Sequence, residues 1–212
     1  MTTRSSATRI RRASANGVIG VLAHGAGFVC IGAIAGLTWA AALRAYMVAL
    51  AGPISAFSWW GTFGAILAPG AVSGALLALA WLRARAGRPS MWFAFAPAPM
   101  VLVPLLEPGA LGALLTSGLG GGAAGVVATV LIGGVTLGQR GHLWVRVAFG
   151  AVWCALLAGF AMTPALVAGL PLTSPEGAWL TVLVTGLLIL LSVACVAPFL
   201  RRDREDDARS TD

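Results

Sequence analysis

The sequence predicts an all-α protein, a polytopic bundle of about six transmembrane helices with both termini in the cytoplasm. Three observations carry this. Of the 212 residues, 58% are hydrophobic and only 10% are charged, where a soluble domain carries roughly 25% charged residues. Stretches such as 17–43 and 110–137 hold no charged residue, and a bilayer core about 30 Å thick needs about 20 apolar residues in a helix. Finally, of the 14 basic residues, every one of them arginine, all but Arg44 are distributed on one side of the spans.

The chain divides into a basic cytoplasmic tail (1–16), a single transmembrane domain (17–200) and a mixed-charge cytoplasmic tail (201–212). The tails hold Arg4, Arg9, Arg11 and Arg12 at one end, and four arginines interleaved with Asp203, Glu205, Asp206, Asp207 and Asp212 at the other. The first span, 18–43, is too long for the apolar core of a signal peptide, about 7–15 residues, and reads as uncleaved. The second, 59–82, starts at Trp59 and Trp60 and ends before Arg83, Arg85 and Arg88; its Pro69-Gly70 pair is placed to bend it. The third, 91–106, has about 16 residues and holds Pro97, Pro99 and Pro104, so it reads either as a short kinked crossing or as a re-entrant segment. The fourth, 110–137, is followed by Arg140 and Arg146. The fifth and sixth are 143–163 and 179–200.

Short arginine-rich loops remain cytoplasmic, and six crossings from an inner N-terminus leave only Arg44 outside. Tryptophans mark the interfaces: Trp39, Trp59, Trp60 and Trp179 at outer ends, Trp81, Trp92 and Trp144 at inner ones. Helices rather than strands place the protein in a cytoplasmic membrane, since outer-membrane spans are β-barrels. The lysine-free, alanine-rich composition points to a bacterial genome rich in G and C.

In lipid, helices associate through close packing of small residues. The first span presents Gly32, Gly36 and Ala40 at steps of four. The second carries Gly61, Gly64, Ala68, Ala71, Ala75 and Ala78, and the fourth Gly118, Gly122, Gly125, Thr129, Gly133 and Thr136. These faces are expected to pack within the chain, against a second copy, or against a partner in a membrane complex; the other partner is the bilayer itself, and nucleic acid is not expected.

Residues suited to chemistry are few. His24 is an ionisable group inside a span, where such groups are costly. The best place for an outer ligand site lies among Arg44, Tyr46, Trp59, Trp60 and Glu107, with residues 45–57 expected to lie along the outer surface. Gln139, Arg140, His142 and Arg146 cluster at an inner junction and read as orientation signals that snorkel to the interface. Cys30, Cys154 and Cys195 fall within spans and behave as small apolar side chains; no metal site and no cofactor are expected, because no ligand spacing is present. Ser73-Gly74 resembles the serine-glycine of rhomboid-type intramembrane proteases, but Ala71 stands where that motif has glycine and no late span holds a deep histidine, so Ser73 reads as a packing residue.

The function expected is non-enzymatic: a small transporter, or the membrane subunit or scaffold of a larger complex. The alternative is a membrane-embedded enzyme using the sparse polar residues near the interfaces. In length, span count and the Gly32, Gly36, Ala40 pattern, the chain is similar to the substrate-binding subunits of energy-coupling-factor vitamin transporters. The resemblance implies a first helix that docks onto a shared subunit through those small residues.

Overall fold

The computed structural model of the protein describes residues 3–106, 121–138 and 142–210. Among them every regular element is helical. Four helices are long and apolar enough to cross a membrane: His24–Ala51, Trp59–Arg85, Leu143–Val167 and Pro175–Leu200. This supports a membrane protein in contact with lipid.

Helix α1 runs unbroken over Thr3–Ala51, 49 residues, or about 74 Å at 1.5 Å per residue. The expected tail, first span and the start of the surface segment thus lie on one continuous helix. No glycine or proline lies between Gly36 and Gly52, so nothing stops the helix at Leu43, and it carries Arg44 and Tyr46 on to Ala51. The stop comes at Gly52, whose φ of 57° is available to glycine at little cost. A single 3-10 turn, Gly52–Ile54, follows.

The second crossing starts as a π-helix, Trp59–Leu67, and continues as α2, Ala68–Arg85. Ser58 caps it, its Oγ accepting from the Gly61 amide at 2.9 Å. The change of ladder falls just before Pro69, which has no N–H to donate and whose ring crowds the carbonyl four residues back. The wider i→i+5 ladder accommodates both losses. Pro69-Gly70 thus changes the helix type at the position where the sequence predicted a bend.

Residues 91–106 do not form one helix. A 3-10 segment, Met91–Phe95, is followed by a turn and by the seven-residue α3, Pro99–Leu105, as three prolines in eight residues dictate. The broken path nevertheless climbs along the bundle. The Phe93 ring lies under Arg83, 5.6 Å from its guanidinium carbon, whereas Met100 and Pro104 lie beside Leu43, Met47, Ala65 and Val126.

Three further helices follow among the described residues: α4, Gly121–Leu137; α5, Leu143–Val167; and α6, Pro175–Ser210. The start of the expected fourth span, including Gly118, lies outside the described residues. Helix α6 also runs past its expected end at 200 to Ser210. Helix α5 ends where Gly169, at φ 66°, turns left-handed and Leu170 N–H reaches back to the Pro164 carbonyl at 3.0 Å, as C-terminal glycines do.

The core lies where α1, α4 and α6 meet. Leu180, Val184, Leu188 and Val130 are fully buried there, with Leu43 and Met100 beside them. Gly133 gives α4 room against Ser192 of α6 and Trp153 of α5. The most apolar stretch of α5, by contrast, buries none of its residues, so α5 presents Leu143, Val147 and Val152 outward, to lipid in a membrane. Phe28 and Ile31 of α1, Trp81 of α2 and Pro198 of α6 sit together at one end. Gly138, at the end of α4, faces Val196. The arginine-bearing helix ends of α2 and α6 therefore lie on the same side of the bundle.

Candidate binding groove

Helices α1 and α2 form an antiparallel pair held at backbone distance. A Cβ added to Gly32 would come within 2.5 Å of Ala78 Cβ and 2.6 Å of the Gly74 carbonyl oxygen. One added to Gly36 would strike the Gly70 carbonyl and lie 2.9 Å from Gly74 Cα. Gly70 in turn has room for nothing larger because Ala40 Cβ faces it. With the side chains gone, the backbones themselves are in contact, the arrangement that small residues permit in lipid.

This pairing redirects two expectations. The small face of α1, which the resemblance to vitamin-transporter subunits would offer to another protein, is covered by α2 of the same chain. On α2 the contacting face runs through Gly70, Gly74 and Ala78, strictly four apart, and shares only Ala78 with the stripe traced from Gly61. Gly61 spends its amide on the Ser58 cap, and Gly64 lies under the Trp60 ring. On α4, a Cβ added to Gly125 would lie 3.2 Å from Phe160, while one added to Gly122 would meet nothing within 4 Å.

Helix α6 diverges from the α1–α2 pair and leaves a cleft of about 490 Å³. Its floor is Gly36, Gly70 and Gly74; Leu77 and Leu191 form the sides. Trp39 closes one end by donating its indole N–H to the Leu187 carbonyl at 2.9 Å. At the other end a second cleft of about 300 Å³, sharing Ala35, Gly74, Leu77 and Ala194, extends the space to Trp81 and Pro198. Together they make one apolar groove running toward the arginine-bearing end.

One polar group in this groove is unusual. Ser73 is only 2% exposed, and its hydroxyl has no hydrogen-bond partner. Hydroxyls in mid-helix normally bond back to the carbonyl four residues earlier, as Thr129, Thr136 and Ser192 do here at 2.7–2.9 Å. A buried hydroxyl left unpaired costs about 1–3 kcal/mol. Thr38, also on the groove, is satisfied by Ile34 at 2.9 Å. Among the described residues no acid or base pairs with the Ser73 hydroxyl.

The expected outer site is dispersed. Arg44 donates to Ser55 Oγ at 3.2 Å and to the Ala56 carbonyl at 2.8 Å, with its guanidinium 4.9 Å from the centre of the Phe57 ring. It fastens the 52–58 turn to the end of α1. Tyr46, two residues on and so about 200° around the helix, is buried and hydrogen-bonded to Thr163 of α5. Trp59 is 81% exposed and stacks on Phe63, with ring centroids 4.9 Å apart; Trp60 is half exposed. Glu107 lies outside the described residues. Among the described residues, Arg44, Tyr46 and Trp59 thus take separate partners.

His24 stands on an exposed face of α1, and His142 is exposed at the start of α5. Among the described residues no three His, Cys, Asp or Glu side chains gather as a metal site would require. Reasoning from sequence missed Ser73, Trp39 and Leu187 as groove residues; only the four-residue spacing of Gly70, Gly74 and Ala78 could have indicated the floor. Set against protein-family models, curated proteins and solved structures, the chain matches none.

Proposed function

We propose that this protein is a non-enzymatic, multi-pass component of a cytoplasmic membrane that holds one apolar chain of a lipid-like ligand in the groove between the α1–α2 pair and α6. It acts there as a small carrier or as the ligand-holding subunit of a larger complex. The groove carries the reading. Its volume falls in the range of small-molecule sites, roughly 300–1,000 Å³, and its walls are apolar.

Six crossings with both termini in the cytoplasm are part of the proposal. The gathering of the arginine-bearing ends of α2 and α6 on one side, and the climb of the broken 91–106 segment, support it.

Native mass spectrometry of the protein released from its own membrane in mild detergent tests the reading. Ala35 and Ala194 line both halves of the groove, so Ala194→Trp fills it, whereas Ala155→Phe adds bulk on the exposed side of α5. The wild type and the α5 variant are expected to retain lipid-mass adducts that the groove variant loses. Equal adducts in all three would overturn the proposal.

A further inference from the structure

We infer that the groove selects an anionic phospholipid, with one acyl chain lying between α2 and α6 and the headgroup phosphate held by Arg85; the inference rests on the apolar-chain reading above. The mouth of the groove is framed by Trp81 and Pro198, and the Arg85 guanidinium carbon lies 5.6 Å from the centre of the Trp81 ring. A cation is therefore held at the opening. Arg83, two residues earlier and so about 200° around the helix, leans instead on the Phe93 ring. Stacking on an aromatic face leaves the N–H edges of Arg85 able to chelate a phosphate.

Depth agrees with charge. From Arg85 to Ser73 is twelve residues of helix, about 18 Å, slightly more than half of the roughly 30 Å hydrocarbon core. A lipid whose phosphate sits at Arg85 would thus extend its chain through one leaflet, to the level where Trp39 bridges to Leu187. Ser73 is among the lining residues at that depth. The continuity of the two clefts through Ala35, Gly74, Leu77 and Ala194 joins the chain site to the headgroup site.

The test compares phosphatidylglycerol with phosphatidylcholine of identical acyl chains, added to the purified full-length protein and quantified by native mass spectrometry. One interfacial arginine favours an anionic lipid by about fivefold. The wild type is expected to retain phosphatidylglycerol preferentially by that order. Arg85→Ala should erase the preference without lowering retention of phosphatidylcholine, and Ala194→Trp should remove both lipids. Should Ala194→Trp not fold, Ala35→Phe obstructs the same groove from the opposite wall. Equal retention of both lipids by the wild type, with loss of both in the groove variant, refutes the headgroup inference and leaves the apolar-chain reading standing. A phosphatidylglycerol preference that survives a filled groove also refutes it, because the arginines would then attract lipid only at the surface. Retention of neither lipid, or a second copy of the chain in their place, overturns both readings.

Discussion

Replacing Gly36 by alanine tests the contact on which the whole α1–α2 pair depends. The added methyl carbon would lie 2.9 Å from both the Cα and the N of Gly74 and closer still to the Gly70 carbonyl. Comfortable separation between such atoms is about 3.5–4.0 Å. The obstacles are backbone atoms, which cannot rotate aside, so the helices must part by about 1 Å. Overpacking of this kind costs about 1–3 kcal/mol, and a contact made by backbone belongs at the upper end. Gly27→Ala is the matched control, because a Cβ there meets nothing within 4 Å; it should be neutral or slightly stabilising, alanine being the better helix former. Thermal unfolding in one detergent, followed by tryptophan fluorescence, should place Gly36→Ala several degrees below the wild type and Gly27→Ala at or above it. A Gly36→Ala protein that melts with the wild type, or an equal loss in both variants, would refute the backbone-contact argument.

Trp39→Phe keeps an aromatic side chain but removes the N–H donated to Leu187 together with part of the indole's packing, and should lower stability by at least about 0.5–1.5 kcal/mol in the same unfolding assay, while Trp179→Phe, on an exposed side chain, should change little. Arg44→Ala should free the 52–58 turn: losing two hydrogen bonds and a cation–π contact amounts to roughly 1–2 kcal/mol of local stability, seen as faster amide hydrogen exchange at Ser55, which donates to Gly52, with exchange in the centre of α6 unchanged. For the topology, single cysteines in a background lacking the three native ones should react with an impermeant thiol reagent in intact cells when placed at Ser55, and only after permeabilisation when placed at Ser5 or Ser210. Labelling of Ser5→Cys from outside would reverse or break the proposed arrangement.

Composition and the length of the uncharged runs sufficed for the membrane character and for helices in place of strands, because burial in lipid requires every backbone group to be satisfied within its own segment. The effect of Pro69 and the broken course of 91–106 were also legible, since proline acts locally. Partner choice was not. With 28 glycines in 212 residues, several small-residue stripes coexist on one helix, and periodicity defines a face without saying what it meets. Only the tertiary structure selected Gly70, Gly74 and Ala78 over the stripe from Gly61, and thereby turned the small face of α1 inward. The placing of Arg44 and Tyr46 was illegible for a related reason: α1 continues past Leu43 to Ala51, so the two side chains diverge around one helix rather than sharing a loop. The groove exists because backbone contact brings α1 and α2 close together while α6 packs chiefly on α4 and α5, a difference in spacing that no single helix encodes.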